Sequence, residues 1–292
     1  MLIELENDEL QATLNTVGGA IESIRERETR REHIWQYNAS LWPRRTAVCF
    51  PICSLLSRGN YLHGGISYSL PMHGFLRECD LRAERVEKGR AVLRLSETPQ
   101  TFAQYPFPFL FELDEQLKES GMEITYRVTN TGEQPLPFSV GAHYTYALPQ
   151  EQKDCWFRFS REQHAGRLIM ENGLVTGKSG DIFHGAKQLS MEGLFDDGAV
   201  ILEQKDFHTD YVSIGADEKE WTRVVCKGFP YLVLWAPKGG KSPFVCVEPW
   251  AGMADNAGND GTLVHKKGIQ TLLPGDTMAF GQFIQVTPYP TA

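Results

Sequence analysis

Met122-Glu123-Ile124-Thr125-Tyr126-Arg127-Val128-Thr129-Asn130 alternates apolar and polar residues along its length. Successive side chains of an extended chain point to opposite faces, so Met122, Ile124, Tyr126 and Val128 share one face and Glu123, Thr125, Arg127 and Thr129 the other. That pattern predicts a strand with one wet face and one buried face. Glu119-Ser120-Gly121 reads as the turn before it, and Phe109 to Leu117 as its hairpin partner. Outward from there, Thr131 to Pro135 turns the chain into another extended run, Leu136 to Leu148. Tyr231 to Trp235 and Phe280 to Val286 read as strands as well. The 27 glycines and 16 prolines recur between such runs, as a many-stranded sandwich requires. The expectation is an all-β, antiparallel fold, with a single domain over residues 1–292 because no repeat, low-complexity tract or linker interrupts it.

One segment dissents. Ile21 to Gln36 contains Arg25-Glu26-Arg27-Glu28-Thr29-Arg30-Arg31-Glu32, a composition that suits a solvated helix. It suits equally a charged hairpin loop joining a strand at Ala20 to Ile24 to another at Ile34-Trp35, and the hairpin is the favoured reading.

The bulk composition excludes several classes. Hydrophobic content of 41% and charged content of 23% are ordinary for a globular protein. The formal charge of −8 argues against nucleic acid or an anionic membrane as a partner, since phosphate-rich surfaces call for basic ones. No apolar run approaches the roughly 20 residues that span a bilayer. The start, Met1-Leu2-Ile3-Glu4-Leu5-Glu6, lacks the basic-then-apolar form of a secretory signal, so a cytoplasmic protein is expected. The six cysteines show no Cys-x-x-Cys spacing; no structural metal is expected of them, and they are read as small buried hydrophobes.

Two apolar stretches each hold one group able to move a proton. Phe138-Ser139-Val140-Gly141-Ala142-His143-Tyr144-Thr145-Tyr146 carries an imidazole, and Phe244-Val245-Cys246-Val247-Glu248-Pro249-Trp250 a carboxylate. A positioned acid and base are the minimum for shifting two protons on an uncharged substrate. Along the first stretch, Ser139, Gly141, His143 and Thr145 share a face that is small apart from the histidine. That leaves room for a ligand beside His143, or for a closely packed neighbouring element; both readings stay open. Glutamate is rarely buried alone, and Pro249 presses the residue before it into an extended backbone, so Glu248 reads as a carboxylate held on a stiff strand end. A buried ion pair is the plainer alternative. His73, in Met72-His73-Gly74-Phe75-Leu76-Arg77, is either a hydrogen-bonded turn residue or a donor to a ligand. Arg44 and Arg45 precede the apolar Ala47 to Pro51. Trp235 and Trp250 offer flat faces of the kind that stack on sugar rings, although isolated tryptophans are more often core.

Taken in order, Arg45 to Leu55, Met72 to Arg77, Phe138 to Tyr146, Val245 to Asn256 and the terminal Lys267-Gly268 to Gly275-Asp276 resemble the motifs of the aldose 1-epimerase (galactose mutarotase-like) superfamily, in its LacX-like branch. The resemblance implies a large β-supersandwich with a concave sugar cleft. It implies His143 as general acid, Glu248 as general base, His73 and Arg45 as sugar contacts and Trp235 as a cleft wall, with no cofactor and no metal. The implied reaction interconverts the α and β anomers of a free aldose by acid/base ring opening. Two alternatives remain on the same scaffold: a hexose-6-phosphate mutarotase and a non-catalytic carbohydrate-binding protein. The sequence departs from the pattern at Ser54, where many relatives carry glycine. The sugar-binding aspartate of some branches has no clear match around Asp206 and Asp210.

Overall fold

The computed structural model of the chain describes residues 1–42, 47–149, 154–226, 228–239 and 242–286. Among these, the helical elements are one single-turn helix, Pro99–Phe102, and two short 3-10 turns. All the named strand ladders are antiparallel. None of the helices is long and apolar enough to cross a membrane.

The stretch that decides the fold forms the strand Gly121–Asn130. Met122, Ile124, Tyr126 and Val128 are fully buried, as their alternation predicts. The strand pairs on one side with Phe109–Lys118, its expected hairpin partner, and on the other with Thr277–Gln285. On the wet face Arg127 reaches Glu112 at 2.7 Å, and Arg90 forks onto Asp114 at 2.7 and 2.8 Å. The polar half of the alternation is thus satisfied by a lattice of ion pairs. Together these strands belong to a nine-stranded sheet among the described residues.

A six-stranded sheet covers the apolar face of the nine-stranded one. Its main path runs Val200–Glu203, Tyr231–Trp235, Phe244–Ala251, Val140–His143, Ala47–Cys49. Thr145–Ala147 also pairs with Phe244–Ala251. Val140, Ala142, Tyr144, Val245 and Val247 share one continuous core with Phe111, Leu113, Ile124 and Tyr126. Tyr126 and Tyr144 meet across it, hydroxyl to hydroxyl at 3.2 Å. Glu115 lies in this core fully buried, with neither carboxylate oxygen hydrogen-bonded within the protein. Burial, with the charge of Asp114 adding to it, pushes its pKa up to about 8.

The charged segment is the hairpin and not a helix. The strand Ala20–Glu26 turns at residues 27–29 and returns through bridges Arg25↔Glu32 and Ile34↔Tyr146. The Glu32 carboxylate holds the turn, accepting the backbone amides of Ile24 and Ile34 and the Ser23 hydroxyl. The run Leu136 to Leu148 is extended as expected but divides into three strands. Leu136–Phe138 pairs with Gln270–Leu272, and only after Ser139 does the chain join the six-stranded sheet. Gly252 packs so tightly on Ser139 there that a Cβ on it would sit 2.3 Å from the serine Oγ.

Candidate active site

Phe244–Ala251 is central in the six-stranded sheet and buried throughout. Alternation places Val245 and Val247 toward the core and Cys246, Glu248 and Trp250 on the opposite face. Glu248 and Trp250 of that second face line a cavity of about 740 Å³, together with His143, His73, Trp235 and Trp42 among others.

Register brings the acid and the base together. Gly141 faces Trp250 and Thr145 faces Cys246, so His143 falls opposite Glu248. Its Nδ1 lies 3.8 Å from Glu248 Oε1. The Glu248 side chain is 2% exposed and that of His143 21%, so the carboxylate lies deep and the imidazole at the opening. Glu248 Oε2 is buried with no hydrogen-bond partner in the protein. Burial holds the Glu248 carboxyl well above the usual carboxylate range, and the nearby Cys53 thiol adds to the effect.

The expectation that Glu248 ends its strand is corrected: the strand continues through Pro249 to Ala251. Pro249 brings no N–H to the ladder. The Ala142 carbonyl across from it accepts the Trp250 indole N–H at 2.9 Å. The two readings of the small face around His143 divide between neighbouring residues. Gly141 makes room for packing, since a Cβ there would come 2.3 Å from Trp250 Cδ1, whereas His143 itself opens onto the cavity.

His73 satisfies both of its readings. Its backbone is in a turn, with φ of 65° followed by Gly74 at 74°. A Cβ on Gly74 would lie 2.1 Å from the Phe50 carbonyl, so only glycine fits where this turn crosses the strand end. The side chain meanwhile lines the cavity. Its Nδ1 lies 3.2 Å from the Ser54 amide and 3.2 Å from Cys49 Sγ. A backbone N–H only donates, so Nδ1 is the acceptor and neutral His73 carries its proton on Nε2. The rings of His73 and His143 meet edge to face at 5.0 Å. Ser54 itself has φ of 60°, a left-handed conformation that favours glycine. Cys49 is therefore more than a small hydrophobe, since its thiol contacts an imidazole.

Trp235 ends the neighbouring strand, where it faces Cys246, and its ring lies 6.5 Å from that of His143. Trp42 packs on it at 4.6 Å and extends the aromatic wall. The expected cleft arginine Arg45, with Arg44, lies outside the described residues. Asp206 and Asp210 are engaged elsewhere, with Lys178 and Arg161. The aspartate that lines the cavity is Asp197, which pairs with Arg167 at 2.6 Å.

Sequence reading missed Trp42, Glu22, Asp197 and Lys266. Lys266 is buried, and its ammonium donates to the carbonyls of Cys53 and Met253. It thereby ties the loop after Glu248 to the segment leading to Ser54. Burial pushes its pKa down to about 8. Its sequence neighbours, Asp260-Gly261-Thr262-Leu263-Val264-His265, are largely polar and gave no sign of its burial.

A family model described as aldose 1-epimerase matches residues 1–282. The chain belongs to the aldose 1-epimerase family. The chromosomal LacX protein of Lactococcus lactis is 25% identical over 291 residues, covering 95% of this chain and 96% of its own. A galactose mutarotase related enzyme from Lactobacillus acidophilus superposes with a TM-score of 0.92 at 27% identity, over 98% of this chain and 97% of that one. A galactose mutarotase-like protein from Lactobacillus casei gives 0.90 at 23% identity, over 98% and 100%. The aldose 1-epimerase family assignment and the supersandwich agree with the expectation drawn from the motifs.

Proposed function

We propose that this chain is a mutarotase, converting the α and β anomers of a free aldose by ring opening and reclosure. Glu248 takes the proton of the anomeric hydroxyl. His143, protonated, gives one to the ring oxygen as the bond between that oxygen and the anomeric carbon breaks. The open aldehyde rotates about the bond next to its carbonyl carbon, and reclosure on the other face reverses both transfers. Proton count and charge return to their starting values in each cycle, so no cofactor is called for.

The observation that carries this reading is the cross-strand pair, His143 Nδ1 3.8 Å from Glu248 Oε1 on the cavity floor, with Glu248 Oε2 buried and unpartnered. The two oxygens that exchange protons sit on one carbon, so their acid and base must be close neighbours. A carboxylate raised by burial is a stronger base than an exposed one, and each positioned group typically contributes about 10²–10⁴-fold. His73, whose Nδ1 accepts the Ser54 amide, serves through Nε2–H as a donor to a sugar hydroxyl. Trp235 serves as a wall for the ring, and Arg45 as a further sugar contact.

A neutral sugar is favoured over a phosphosugar. Among the described residues, the cavity lining carries Glu22, Glu78 and Asp197 against Arg77, and Arg77 lies 3.4 Å from Glu78. Such a lining disfavours a dianion. The chain is further proposed to act in the cytoplasm, and as one domain, the latter supported by the family match over 1–282 and the continuous core.

Polarimetry of freshly dissolved α-glucose, α-galactose and glucose 6-phosphate with pure protein is the test. Accelerated decay to equilibrium rotation for a neutral hexose is expected. A preference for glucose 6-phosphate would put the phosphosugar reading in its place, and binding without acceleration of any aldose would leave a sugar-binding protein.

A further inference from the structure

Cys246 is two residues from Glu248 on the same face of the same strand and faces Thr145 across the ladder. The proton-transfer scheme gives it no task. Yet a ring nitrogen of His143, the thiol of Cys246 and a carboxylate oxygen of Glu248 all lie within 4.8 Å of one another. We infer that these three side chains form a binding site for one thiophilic divalent cation of the zinc class, and that its occupancy blocks the site. The binding half stands on the geometry alone; the blocking half rests on the proposed mutarotation.

Nitrogen, sulfur and oxygen donors from three residues, with the fourth position facing a cavity, is a donor set that suits zinc. Bonds of about 2.0 Å to nitrogen and oxygen and 2.3 Å to sulfur put ligand atoms roughly 3.3–3.6 Å apart in a tetrahedron. Nδ1 and Oε1 at 3.8 Å are already near that spacing. Small rotations of side chains would bring the rest into range. Charge matches too: one thiolate and one carboxylate beside a neutral imidazole neutralise a dication, which matters where both anions are buried. Glu248 Oε2, buried and unpartnered, is a second open acceptor at the same point. Hard cations are disfavoured, because magnesium and calcium take several oxygen ligands and a thiol is not one of them.

On binding, the Cys246 S–H bond and the N–H bond of the coordinating His143 nitrogen break, both protons leave to solvent, and bonds from the metal to that sulfur, that nitrogen and a Glu248 carboxylate oxygen form. No oxidation is involved. The lone pairs of Glu248 and His143 that would carry protons are then engaged by the metal.

The test is titration of the chelator-stripped full chain with Co²⁺ as a spectroscopic probe and Zn²⁺ as its competitor, with mutarotation followed in parallel. Expected is a single equivalent of Co²⁺, a near-ultraviolet thiolate-to-cobalt charge-transfer band, its loss on adding Zn²⁺, and no displacement by Mg²⁺. Zn²⁺ should slow mutarotation at least about tenfold at saturation, as expected when an essential base is engaged. Cys246→Ser should remove the band and weaken Zn²⁺ binding by at least about tenfold, while metal-free mutarotation stays at the wild-type level. Cys246→Ala, checked by circular dichroism, covers the case in which serine disturbs the fold. Cys49→Ser should keep the band. A band that survives in both Cys246 variants and vanishes in Cys49→Ser places the metal on Cys49 and His73 and overturns the inference. Absence of a stoichiometric band overturns it as well. Zn²⁺ bound through Cys246 with mutarotation undiminished removes His143 and Glu248 from the ligand set. A protein with no mutarotase activity at all leaves the cobalt arm decisive, so failure of the metal site and failure of the functional reading are distinguishable.

Discussion

The amide of Ser54 points at the ring of His73, 3.2 Å from Nδ1, and this fixes which nitrogen of the imidazole faces a ligand as a donor. The anchoring group belongs to the backbone, so no side-chain change at position 54 that keeps the same φ removes it. Ser54→Gly should therefore leave KM for a neutral aldose unchanged and be at least as stable in urea unfolding, since it relieves a left-handed backbone. His73→Ala removes the donor itself. KM should rise roughly 2- to 10-fold, the cost of about 0.5–1.5 kcal/mol for a lost hydrogen bond between neutral groups, with a smaller change in kcat. An unaltered KM would assign His73 to the turn alone.

His143→Ala and Glu248→Gln should each lower kcat by about 10²–10⁴-fold with the circular dichroism spectrum unchanged. Because the two groups act on atoms of one carbon, the double variant should be little slower than the worse single one. Multiplicative losses would mean that the two work in separate steps.

Gly141→Ala tests the packing beneath the dyad. A new Cβ 2.3 Å from Trp250 Cδ1 must push the indole aside and loosen its bond to the Ala142 carbonyl. The expected cost is about 1–3 kcal/mol in urea unfolding, with reduced mutarotation, because His143 is two residues along. Retained stability would show that the indole has another place to go.

Glu115 predicts a pH dependence of stability. Its carboxyl titrates near 8 in the folded chain and near 4.3 unfolded. Between those values the folded state holds a proton that the unfolded state has released, so stability is highest below about pH 4.3 for this group and falls as pH rises toward 8. Glu115→Gln should flatten that fall, and at pH 8 should be more stable than the parent by a few kcal/mol, an order-of-magnitude figure. Urea midpoints at pH 5, 6.5 and 8 would check it; parallel curves for both proteins would show that a partner satisfies Glu115.

The strand Gly121–Asn130 was legible because Met122, Ile124, Tyr126 and Val128 alternate with Glu123, Thr125, Arg127 and Thr129, a purely local signal. His143 and Glu248 were legible through short motifs, whereas their pairing was not. They are distant in sequence, and only the registers of Gly141 with Trp250 and of Thr145 with Cys246 bring them opposite. Trp42, Glu22 and Asp197 gave no signal, since each reaches the cavity from an element whose placement is tertiary. Pro249 misled for a physical reason: a proline argues against the middle of a sheet, and here the Trp250 indole supplies a donor next to the gap.

The parity of that register constrains insertions and deletions. Side chains alternate, so inserting or deleting one residue within Val140–His143 would turn His143 into the core and bring Tyr144 to the cavity. Within Phe244–Ala251 the same event would exchange Glu248 for a neighbouring residue. The long stretch between the two strands lies outside this constraint. The loops between the two strands can therefore change in length without disturbing the pairing of His143 with Glu248, whereas a single-residue insertion or deletion inside either strand breaks it.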